Sequence, residues 1–62
     1  MSATENADWN DMQQLSAQLT DEARRLTEDV DAAAAGKDMH DALRGDVTAL
    51  SRLVRKMKDA IA

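Results

Sequence analysis

The sequence contains no cysteine, proline, phenylalanine or tyrosine, and glycine occurs only at positions 36 and 45. Without cysteine the chain can form no disulfide and offers no thiolate to a metal. Without proline, nothing in the chain forces a long helix to kink or end. Trp9 is the single aromatic residue and β-branched residues are few, which disfavours a β-sheet. Alanine is the most frequent residue, and together with leucine and arginine it favours helix.

Long apolar runs are also absent. The longest uninterrupted apolar stretch is 32–35, so we expect no membrane-spanning segment. The first nine residues have neither a basic region nor an apolar region of the kind found in secretory signals. The net charge of −4 disfavours nucleic acid and anionic membrane as partners. We therefore expect a cytoplasmic protein, or one in the host cytoplasm if its gene is viral.

The pattern of apolar residues predicts an all-α protein with one domain over residues 1–62 and a frayed arm over 1–7. A first helix is expected over about 8–35 and a second over about 38–61, the latter continuous through Gly45. In each helix the larger apolar residues recur every three or four positions and form one stripe. The stripe of the first helix contains Trp9, Met12, Leu15, Leu19, Ala23, Leu26, Val30 and Ala33, and that of the second contains Met39, Leu43, Val47, Leu50, Leu53, Val54, Met57 and Ile61.

A strict seven-residue repeat would place Glu22 and Asp29 in the seam of the first helix. Because these residues are charged, we expect the helix pair to depart from a long, regular coiled coil.

Three consecutive residues predict the connection between the helices. Gly36 suits the left-handed conformation that ends a helix, and Asp38 can cap the next helix, with Lys37 between them. A connection this short makes the helices antiparallel neighbours. Residues 1–36 have a charge balance of −6 and residues 37–62 one of +2, which supports the same pairing.

A lone hairpin leaves much of each apolar stripe in water. We therefore expect two hairpins to associate as a homodimer in a four-helix bundle. The predicted function is that of a small, non-catalytic helical interaction protein, such as a regulator, adaptor or inhibitor of the kind phages encode. It would bind another protein through a helix face, and Trp9 is the best single candidate for a binding hot spot.

Asp46 is the one charged residue inside the apolar stripe of the second helix. It could be buried and specify register, or cap a new helix after a break at Gly45, or lie at the water-exposed rim, which we favour. Gly45 itself is expected to permit close approach of the two helices.

A DNA-binding function is the alternative. Residues 43–58 resemble the turn and recognition helix of bacterial winged-helix regulators, with 47–58 as the recognition helix. The resemblance implies contacts to phosphates and base edges from one polar face, which carries Thr48, Ser51, Arg52, Arg55 and Lys56. Partner contacts are therefore expected from Trp9, Asp46, Arg52, Arg55 and Lys56.

Catalytic, metal and cofactor sites are not predicted. His40 is the single histidine, which alone makes a poor transition-metal site. No serine or threonine has a histidine or lysine at a spacing that suggests an activated nucleophile. We expect no enzyme activity and no cofactor.

Overall fold

The computed structural model describes residues 8–61, which form two helices and no strand. Helix α1 spans Trp9–Ala34 and helix α2 spans His40–Ile61. These bounds confirm the predicted helices to within two residues at each end. The predicted arm over 1–7 lies outside the described residues.

Local signals predicted from the sequence set the helix ends. The Asp8 carboxylate accepts a hydrogen bond of 3.1 Å from the amide of Asp11 and so caps α1. Gly36 has φ +102°, where an L side chain would be strained. The Lys37 amide donates to the carbonyl oxygen of Ala32 at 3.1 Å, and so closes the last turn of α1. Asp38 accepts a bond of 3.4 Å from the His40 amide at the start of α2.

The helices pack as an antiparallel hairpin, as predicted. The amide of Asp8 donates to the carbonyl oxygen of Ala60 at 3.2 Å, which joins the cap of α1 to the last turn of α2. The hairpin therefore has an open end, where Asp8 and Ala60 meet, and a loop end at Gly36.

The seam between the helices differs from the predicted stripes. Along each helix the half-buried and buried residues are spaced alternately by three and four positions, which is a strict seven-residue repeat. Ala32 and Ala49 are also half-buried, beside these positions. On the first helix the seam positions are 12, 15, 19, 22, 26, 29 and 33, and on the second they are 39, 43, 46, 50, 53, 57 and 60. The expectation of an irregular pairing was wrong, because Glu22, Asp29 and Asp46 all lie in the seam.

Gly45 also behaves differently from the expectation. It lies within a continuous α2, so the break considered at Gly45 and Asp46 does not occur. A Cβ built at Gly45 would meet no atom within 4 Å. Close helix approach is therefore not the reason for this glycine.

The hairpin has no apolar core of its own. Among residues 8–61 no apolar side chain is buried, and the one buried residue is Asp46, at 6% exposure. The smaller extents of the Cα positions are 14 and 11 Å, the dimensions of a single layer of two helices. Neither helix within this range is long and apolar enough to cross a bilayer.

Candidate interaction surface

Among residues 8–61, five large apolar side chains are exposed, and all five occupy one position of the seven-residue repeat. They are each between 44% and 54% exposed, and they are Trp9, Val30, Val47, Val54 and Ile61. Four of them follow directly after a seam position, as Val54 follows Leu53, and Trp9 lies three repeats before Val30 on α1. Along each helix they are separated by seven residues or a multiple of seven.

The five residues face the same side of the molecule. Two antiparallel helices are related by a twofold axis perpendicular to their common plane, so equivalent positions on both helices share a side. We call this side the apolar face and define it by these five residues. The opposite side, which carries Gln18, Glu22, Ala49 and Lys56, is called the polar face. On α2 this face has a large apolar residue at every seventh position from Val47 to Ile61, whereas on α1 Ser16 and Ala23 lie between Trp9 and Val30. Among residues 8–61 no element covers the face.

The surface grooves agree with this division. One groove at the open end of the apolar face is lined by Trp9, Met12, Gln13, Ser16 and Met57, and therefore crosses from α1 to α2. A second follows α2 alone and is lined by Val47, Leu50, Ser51, Val54, Arg55 and Lys58. Trp9 thus lies beside Met57, but half of its surface remains open to solvent.

The polar face has a different chemistry. Its two grooves also cross between the helices, and they share Gln18 and Lys56. The groove nearer the loop end adds Glu22, Ala49 and Arg52. Glu22 accepts from Arg25 at 3.5 Å, and the Glu22 side chain is only 15% exposed. This face mixes both signs of charge with alanine, and none of its exposed residues is a large apolar one.

Asp46 occupies the seam rather than its rim, so the favoured expectation of a water-exposed rim residue was wrong. Its Oδ2 atom is buried and has no hydrogen-bond partner. The carboxyl group of Asp46 lies beside that of Asp29 on α1. A hydrogen bond between these two groups is the main cause that raises the pKa of Asp29. Burial and the negative charge of Asp46 raise the pKa of Asp29 further, and Arg25 lowers it.

Asp29 is the residue that the sequence-based list of sites lacked. The signal was present, since Leu15, Glu22 and Asp29 are seven residues apart and share one phase of the repeat. Two of these three residues are acidic, and for that reason the sequence alone does not favour this phase as the seam. The pairing of Asp29 with Asp46 depends on the register between the helices, which the pattern within one helix does not specify.

The residues predicted to contact a partner are not brought together. Trp9 and Arg55 line grooves on the apolar face, whereas Arg52 and Lys56 line a groove on the polar face. Residues 43–58 lie within one continuous helix, so the turn on which the DNA-binding resemblance depends is absent. The Thr48 hydroxyl donates to the carbonyl oxygen of Arg44 in the same helix, at 2.9 Å.

Within residues 8–61, no group of three or more histidine, cysteine, aspartate or glutamate residues is arranged to hold a metal ion. No protein-family model matches the sequence, and comparisons with curated proteins and with solved structures give no significant match. The apolar face, the polar face and the seam are therefore the features from which a function can be inferred.

Proposed function

We propose that this protein is a small, non-catalytic interaction protein that binds a protein partner through the apolar face. The observation that carries the proposal is the placement of all five exposed large apolar side chains on that face. Apolar surface gathered on one side of a small protein marks a site of interaction more often than scattered apolar residues do. Trp9 and the neighbouring methionines at the open end supply the kind of large side chains that dominate binding energy.

The occupant that we propose for this face is a second copy of the chain, giving a four-helix bundle. In such bundles each helix contacts two neighbours, which requires a stripe wider than one seam. On α2 the stripe is widened by Val47, Val54 and Ile61, and on α1 it is widened by Trp9 and Val30, with Ser16 and Ala23 at the repeat positions between them. A second hairpin would cover the apolar faces of both copies and create the apolar core that residues 8–61 lack on their own.

Charge also supports a second copy. Helix α1 carries six acidic and two basic residues, whereas α2 carries three acidic and five basic residues. Placing α1 of one copy beside α2 of the other brings opposite charges together. The outer surfaces of the bundle would then be free to bind a further macromolecule, in the manner of a regulator, adaptor or inhibitor.

Analytical ultracentrifugation with circular dichroism tests this proposal. We expect the wild-type protein to be a helical dimer, and Val54→Asp to abolish association because it places a charge within the apolar face. Thr48→Asp is the matched control, since Thr48 is exposed on the same helix but away from this face. The isosteric Val54→Thr is expected to weaken association without adding a charge. A wild-type chain that remains a folded monomer at all concentrations would overturn the proposal.

A further inference from the structure

The seam contains a pair of acidic residues that cannot both be charged without cost. Asp46 is the one buried residue among 8–61, and its Oδ2 atom lacks a partner. The neighbouring carboxyl group belongs to Asp29 on the other helix. Two carboxylates have no hydrogen to donate, so a hydrogen bond between them requires one bound proton. With that proton, the carboxylic acid O–H donates to the carboxylate oxygen opposite.

We propose that Asp29 and Asp46 share one proton in the closed hairpin and act as a pH-sensitive latch between the two helices. The proton converts a repulsive contact into an interhelical hydrogen bond. When the proton leaves, two negative charges remain in contact, one of them almost fully shielded from water. Loss of the proton therefore favours separation of α1 and α2 near the loop end.

The other charged groups near the pair do not neutralise it. On α1, Arg25 acts on Asp29 and lowers its pKa, but Arg25 also pairs with Glu22 and its side chain is 67% exposed. On α2, Arg52 lies with Glu22 in the groove on the polar face, and Arg44 is at an exposed position. Among the described residues, neither carboxylate of the pair has a cation within ion-pair distance.

The latch would also control the interaction surface. The apolar face is assembled from both helices, so opening the hairpin separates the side chains that α1 and α2 contribute to it. Acidification would thus favour the closed hairpin and its association, and neutral pH would weaken both. This last consequence rests on the proposed function, whereas the latch itself does not.

The direction of the pH effect follows from the raised pKa of Asp29. A folded state that holds the proton more tightly than the unfolded chain is stabilised in acid. This stabilisation is fully present below the unfolded pKa and is lost as pH rises through the folded pKa. Each tenfold difference in proton affinity between the two states changes the folding equilibrium up to tenfold.

Urea unfolding between acid and neutral pH tests the latch. An asparagine amide in place of the Asp46 carboxyl can donate to the Asp29 carboxylate without a bound proton, so Asp46→Asn should raise the urea midpoint at neutral pH and flatten its decline with pH. The Asp29→Asn variant should behave similarly. Asp21→Asn, at an exposed position on α1, is the matched control and should retain the wild-type pH profile. Parallel profiles for wild type and both seam variants would overturn the latch.

Carboxyl ¹³C NMR of the wild-type protein gives a second test that needs no variant. We expect Asp29 to titrate at a higher pH than an aspartate in an unfolded peptide, and an ordinary titration of Asp29 would overturn the proposal. Both measurements can be made on a monomer. A chain that is monomeric throughout but shows the shifted titration would refute the proposed dimer and support the latch.

Discussion

The backbone amide of Asp8 donates a hydrogen bond to the carbonyl oxygen of Ala60, at 3.2 Å. The same residue caps α1 through its side chain, which accepts from the Asp11 amide. Asp8 therefore performs two roles at the open end, one within α1 and one between the helices. Only the first role depends on the side chain.

Substitution of Asp8 separates these roles. Asp8→Ala removes the cap and leaves the backbone bond to Ala60 in place, so it should lower the free energy of unfolding by about 1 kcal/mol. Asp8→Asn keeps a side-chain acceptor and should remain near wild type. Thermal unfolding followed by circular dichroism in the far ultraviolet measures the difference. Equal stability of the alanine and asparagine variants would show that the cap contributes little.

The two glycines should respond in opposite directions to alanine. Gly45 lies within α2 with open space around its Cα, so Gly45→Ala should stabilise the protein by about 0.5–1 kcal/mol. Gly36 has φ +102°, so Gly36→Ala should destabilise it by about 1–2 kcal/mol despite equally open surroundings. Chemical denaturation of both variants checks the prediction. A destabilising Gly45→Ala would indicate that a partner approaches α2 closely at this position.

Gly36 shows why part of the fold could be predicted from the sequence. A helix end depends on a few neighbouring residues, so Asp8, Gly36 and Asp38 mark the ends of α1 and α2 within two residues of their observed positions. The short connection then leaves antiparallel packing as the simple solution. Such features depend on residues that are neighbours in the chain, so they can be predicted from the sequence.

The seam could not be located in the same way. Each apolar stripe is wide enough to contain two contact surfaces, one toward the other helix and one toward solvent. The sequence pattern does not say which edge of the stripe faces the partner helix. The predicted stripe of α2 contains Val47 and Val54 as well as Leu53, but the structure places Asp46 and Leu53 toward α1 and leaves the two valines half exposed. Which residues of each stripe form the seam depends on the register between the two helices. The seam could therefore be located only from the structure.

Arg25 should set the pH at which the pair of Asp29 and Asp46 loses its proton. The hydrogen bond from Asp46 is the main cause that raises the pKa of Asp29, and the positive charge of Arg25 opposes it. Arg25→Gln should therefore raise the pKa of Asp29 further. The loss of stability with rising pH should then begin at a higher pH, by a small displacement because Arg25 is largely exposed.

The urea midpoint as a function of pH measures this displacement. Arg24→Gln removes the same charge from the adjacent, exposed position on α1 and serves as the control. Identical displacements for both variants would mean that overall charge, rather than the position of Arg25, determines the result. No displacement for Arg25→Gln would show that its charge does not reach the pair.

Trp9 provides an intrinsic probe of the apolar face because it is the only aromatic residue. In the isolated hairpin it is 54% exposed, so its fluorescence should be that of a largely hydrated indole. Association through the apolar face would cover Trp9, and dilution of the wild-type protein should therefore shift its emission maximum to longer wavelength. Val54→Asp, which we expect to be monomeric, should show the long-wavelength emission at every concentration. If sedimentation finds a wild-type dimer whose Trp9 emission equals that of the monomeric variant, the copies associate through a surface other than the open end of the apolar face.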